Sequence, residues 1–181
     1  MSRLLKGVLP GATILALTLT TSVAAEPRRP VHSMVLRSLA PEEAAQILQD
    51  LGSGEKQAAG AAIYAVSTGY KGFAKPDNPT ELQCWEYYVD YFTGSKGWAA
   101  FILANLGTSD ATVNLTIQLS GPKSAKFTAR PTIKKNTIVL YYGETTLGST
   151  TGLYTLTGKV TGAGVLLGGN ATSRFLVTKV Y

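Results

Sequence analysis

Trp85, Tyr87, Tyr88, Tyr91 and Trp98 crowd into residues 85 to 98, and Tyr141 and Tyr142 follow further along the chain. Rings lined up on one face of a strand can stack on sugars, whose C–H faces meet the negative face of the π system. A period of two puts Trp85, Tyr87 and Tyr91 together, which makes these three the candidate glycan contacts. Turned inward, the same rings would be core, since aromatic pairs across sheets fill sandwiches well. Both readings stand at this level.

Catalysis has less to work with. His32 is the only imidazole and lies in a proline-bearing lead-in, so a Ser-His-Asp or Cys-His site would need that segment folded back. Glu86 and Asp90 would share a face in a strand or a helix, as the two carboxylates of a glycosidase must, but any two acids four apart do the same. Cys84 is the single cysteine, which leaves no partner for an internal disulfide and reads as a small core residue. Gly162-Ala-Gly164-Val-Leu-Leu-Gly168 has the wrong spacing for a phosphate cradle and reads as turn glycines. Asn114-Leu-Thr116 and Asn170-Ala-Thr172 fit the glycosylation acceptor pattern. No enzyme, cofactor or metal site is expected.

The elements that must position these residues centre on 98 to 120. Val113, Leu115, Ile117 and Leu119 alternate with Thr112, Asn114, Thr116, Gln118 and Ser120, which is the pattern of a half-buried strand. Trp98 to Ala104 is unbroken apolar sequence suited to a strand covered on both faces, and Asn105 to Asp110 between the two is turn chemistry. The two are expected to pair. Residues 81 to 92 fit a helix, with Trp85, Tyr88, Val89 and Phe92 on one face, or a strand; the strand is favoured because aromatic residues suit strands and 93 to 97 joins it to Trp98 as a hairpin loop would. Ala125 to Ala129 reads as a short strand whose outer face carries Lys126, Thr128 and Arg130, and further strands are expected near 137–142, 153–160 and 174–181. The fold class is mainly β, an immunoglobulin-like antiparallel β-sandwich of about seven strands.

Ahead of the sandwich, Arg3 and Lys6 precede an apolar stretch and then small residues ending at Ala25, the order of a secretory signal peptide. Residues 1–25 are assigned to it, which predicts a secreted or periplasmic product without a stable membrane span after cleavage. Residues 26–37 read as an extended lead-in. Residues 38–80 read as a helical hairpin and loop, with Pro41, Glu42 and Glu43 opening the first helix, Gly52 stopping it, and a second helix from Glu55 to about Val66. The sandwich domain takes residues 81–181.

Charge divides along the chain. Residues 40 to 90 hold eight acids against three lysines, whereas residues 91 to 181 hold two acids against nine bases. The acidic part could dock on the basic part, or the basic β-domain could meet a protein or an anionic envelope polymer. The bases are spread singly along strands of an exported chain, so no nucleic-acid partner is expected.

Asn105-Leu-Gly-Thr-Ser-Asp-Ala-Thr-Val-Asn-Leu-Thr-Ile117, with an apolar strand before it and Gly121-Pro122 after, resembles the opening hairpin of secreted bacterial immunoglobulin-like modules such as the cell-adhesion-related domain. The resemblance spans about 25 residues. It implies a spacer, adhesive unit or accessory domain. The sequence therefore points to an exported, non-enzymatic interaction or structural module, with a carbohydrate-binding module as the alternative.

Overall fold

A strand that is apolar at every position must be covered on both faces, and residues 97 to 105 of the computed structural model are all buried. The structure describes residues 29–51, 60–73, 90–92, 94, 96–165 and 169–179. In chain order the elements are β1 (His32–Ser38), α1 (Pro41–Asp50), β2 (Ile63–Phe73), β3 (Asp90–Phe92), β4 (Lys96–Asn105), β5 (Ala111–Thr112), β6 (Asn114–Ser120), β7 (Ala125–Ala129), β8 (Thr132–Ile133), β9 (Thr137–Thr146), β10 (Gly152–Thr161) and β11 (Asn170–Lys179). One sheet has the order β1-β9-β4-β2, all antiparallel. The facing sheet has the order β3-β11-β10-β6-β7, antiparallel except for β3, which runs parallel to β11. β5 and β8 form a separate two-stranded ribbon.

The alternation of β6 is as read. Val113, Leu115, Ile117 and Leu119 are buried in the space between the sheets, while Asn114 and Gln118 face out. They meet Ala99, Phe101 and Leu103 from β4, together with Phe127, Tyr141, Tyr154 and Phe175. Tyr70, Phe175 and Tyr154 stack in sequence, with centroid separations of 5.1 and 5.3 Å. Two rings cross the sandwich into glycines. A Cβ on Gly158 would lie 2.4 Å from the Phe101 ring, and one on Gly143 would lie 2.1 Å from the Phe127 ring. Gly158 explains why β10 alternates imperfectly in sequence, since it takes an inward position for the space it leaves empty. Gly158→Ala is expected to cost about 1–3 kcal/mol by overpacking, and adding Phe101→Leu should recover part of the loss in a denaturant melt.

Several expectations are corrected. β4 and β6 are not neighbours: each pairs within its own sheet and the turn at 105 to 110 crosses the sandwich, which lets two apolar faces meet instead of two edges. β3 and β4 form no hairpin, because β3 pairs with β11 in one sheet and β4 with β2 and β9 in the other. The second helix of the hairpin is not formed over 63–66. Ile63, Tyr64, Val66 and Tyr70 belong to β2, where branched and aromatic residues fit the pleat better than they fit a helix. The rest of that candidate, 55–59, lies outside the described residues, as does most of the 81–92 stretch. The lead-in is also structured: β1 covers the open edge of β9, and Arg29 before it bridges to Phe127 on β7.

The first helix holds. Pro41 opens it with Glu42 and Glu43 in the first turn, and Ala44 and Leu48 are buried against Leu39, Tyr64, Ala104 and Leu106. Arg37 from β1 pairs with Glu43. α1 thus covers one end of the outer face of the four-stranded sheet.

Asn105 fixes the crossing turn. Its Oδ1 accepts hydrogen bonds from the backbone N–H of Ala62 at 3.2 Å and Gly107 at 3.1 Å. Its Nδ2 donates to the carbonyls of Ser109 at 2.9 Å and Ile133 at 3.1 Å. At the other end of the turn Asp110 accepts from Lys134 Nζ at 2.8 Å and the Lys135 N–H at 3.0 Å. The Lys134 hydrogen bond, followed by that from Lys135, holds the Asp110 carboxyl below its ordinary value.

Tyr141 points into the core from β9, and burial pushes its phenol up to about 12 from an ordinary 10.0. The neutral phenol is therefore favoured in the folded state. Its stabilising effect is complete below the unfolded value near 10 and is lost as pH rises through the folded value near 12. Subtracting the phenolate absorbance titration of Tyr141→Phe from that of the parent should isolate one late-titrating group. A difference curve centred near 10 would place Tyr141 in water.

Candidate functional site

Because side chains alternate along a strand, the residues that β6, β7, β10 and β11 do not bury form one continuous outer face. Gln118 sits between Lys126 and Thr157, and Thr157 is next to Thr172. One row away Thr116 sits between Thr128 and Lys159, and Lys159 is next to Asn170. On the other side Thr155 lies between Ser120 and Arg174. Lys126, Lys159 and Arg174 are all exposed, and the described side chains of this face include no carboxylate.

Strand spacing and rise place these three cations about 12–16 Å apart across the face. That exceeds a Debye length of about 8–10 Å, so they repel one another little, while together they give the face one sign of potential. The threonine hydroxyls and the amides between them both donate and accept hydrogen bonds. Such a surface suits an extended polyanion. Lys126 was visible in the sequence as part of a basic strand face, but joining it to Lys159 and Arg174 requires the pairing of β10 with its two neighbours.

The opposite outer face differs. On the four-stranded sheet Trp98, Ala100, Ile102 and Leu140 are buried as a cluster, with Met34 and Tyr142 packed against it. Trp98 stacks on Tyr142 at 4.0 Å between centroids, and His32 stacks on Tyr142 at 5.3 Å. Trp98 is 7% exposed and so cannot serve as a ring in an open row. Of the candidate glycan contacts, Trp85 and Tyr87 lie outside the described residues. Tyr91 is described by its backbone, which pairs with Val177 on β11. Trp98 and Tyr91 thus belong to different sheets, and these two do not lie on neighbouring strands.

No protein-family model and no curated protein matches the chain. Solved structures do. The fold resembles the CARDB domain of a Pyrococcus furiosus protein, determined in complex with di-metal ions, at 14% identity and a TM-score of 0.42 over 65% of this chain and 89% of that one. It also resembles the N-terminal domain of PorA, at 12% identity and a TM-score of 0.26 over 51% of this chain and 86% of that one. A family 123 glycoside hydrolase from Clostridium perfringens matches at 14% identity and a TM-score of 0.38, over 66% of this chain and 27% of the hydrolase. These likenesses bear on the sandwich alone. Among the described residues no group of three or more His, Cys, Asp or Glu side chains could hold a metal ion.

Proposed function

We propose that the chain is an exported, non-enzymatic interaction module built on an immunoglobulin-like sandwich, and that the outer face of its five-stranded sheet binds an anionic component of the cell envelope. The reading is carried by Lys126, Lys159 and Arg174, which share one exposed face with hydroxyl and amide side chains and with no described carboxylate. Export is supported by the order of residues 1 to 25, with Arg3 and Lys6 before the apolar stretch and small residues at its end.

Binding of this kind is screened by salt. The parent protein should be retained on a phosphorylated polysaccharide resin at low ionic strength and elute as salt rises. Lys126→Gln/Lys159→Gln/Arg174→Gln should elute at clearly lower salt with its thermal melt unchanged, because all three side chains are exposed. A parent protein that flows through at low salt would overturn the proposal.

A further inference from the structure

Leu153 and Leu176 are register partners on β10 and β11, and they are 48% and 36% exposed. Both point out of the face that carries the three cations. Arg174 and Thr155 form the next outward row, about 7 Å along the strands. The apolar pair therefore adjoins a guanidinium directly. A soluble polyanion offers nothing complementary to two leucines, whereas a lipid leaflet presents phosphates at its surface and acyl chains just beneath. Cations near such a surface and partly inserted apolar side chains reinforce one another in peripheral binding.

We propose that this face docks on an anionic lipid surface, with Leu153 and Leu176 entering the headgroup boundary while Arg174, Lys159 and Lys126 meet lipid phosphates. The inference rests on the reading that this face binds an anionic partner, and it names that partner as a bilayer. Among the described residues no helix is long and apolar enough to cross a membrane. Asp90 on β3 is the register partner of Leu176 on its other side, and Arg174 lies one outward row along β11 from that pair.

The test is co-sedimentation of the processed chain, beginning at Glu26, with vesicles of phosphatidylcholine alone and of phosphatidylcholine mixed with phosphatidylglycerol, alongside elution from the phosphorylated resin. The parent should sediment with the mixed vesicles in a salt-sensitive way. Lys126→Gln/Lys159→Gln/Arg174→Gln should bind them about 100-fold more weakly. Leu153→Ser/Leu176→Ser should bind the vesicles about tenfold more weakly yet elute from the resin as the parent does. All three proteins begin at Glu26, after the expected signal peptide, so the apolar N-terminal sequence contributes to none of them. Equal vesicle binding by the parent and the leucine variant would overturn the inference. A parent retained on the resin but absent from the vesicle pellet would overturn lipid docking and leave the anionic-partner reading in place. Absence from both would overturn the two together.

Discussion

Asn105→Leu is expected to lower stability by about 4–6 kcal/mol, since it strands four backbone groups at roughly 1–3 kcal/mol each. Leucine has as many side-chain heavy atoms as asparagine and is bulkier, so the loss would come from polar groups with some overpacking and not from a cavity. The N–H groups of Ala62 and Gly107 lose their acceptor, and the carbonyls of Ser109 and Ile133 lose their donor. These four groups belong to the approach to β2, to the crossing turn and to β8. One side chain therefore ties together segments that no single strand pairing joins. Asn105→Asp supplies a second reading: the carboxylate can still accept from the two N–H groups but cannot donate to the two carbonyls, and protonation restores one donor. Its deficit relative to the parent should shrink as pH falls through the carboxyl range. Urea melts measure both effects. A loss below about 1 kcal/mol for Asn105→Leu would mean that water replaces the asparagine at little cost.

Trp98→Ala is expected to cost about 3–5 kcal/mol through lost burial and the cavity left behind. The indole is 7% exposed and stacked on Tyr142 within a cluster that includes Ile102 and Leu140. Retention on the phosphorylated resin should not change when the variant is measured below its melting transition, because Trp98 and the cationic face lie on different sheets. A variant with an unchanged midpoint that lost retention on an insoluble neutral polysaccharide would instead make Trp98 a sugar platform.

Much of the fold was legible because alternation is a local signal. Val113 to Leu119 needed only its own period to assign its buried face, and Pro41, Glu42 and Glu43 marked the start of the helix. What could not be read was partnership. The same alternation is satisfied whether the apolar face of β6 meets β4 across the sandwich or beside it, so sequence alone pairs two strands that in fact face each other. The alanines before Ile63 and Tyr64 point to a helix, and the neighbouring strand that draws the two into β2 lies about forty residues on in sequence. Lys126 stood out in the sequence beside Thr128, whereas Lys159 and Arg174 looked solitary until β10 brought them to the same face. The four hydrogen bonds of Asn105 had no signal beyond a residue type common in turns.

We propose that the outer face of the five-stranded sheet, and not net positive charge, makes the chain bind anionic partners. A charge-matched comparison tests it most directly. Lys126→Gln/Lys159→Gln and Lys96→Gln/Lys135→Gln each remove two positive charges, but Lys96 lies on β4 of the other sheet and Lys135 in the turn before β9. Salt-gradient elution from the phosphorylated resin should show the first variant leaving well before the parent and the second close to it. Equal shifts for the two would contradict the account, because binding would then follow total charge and no particular face.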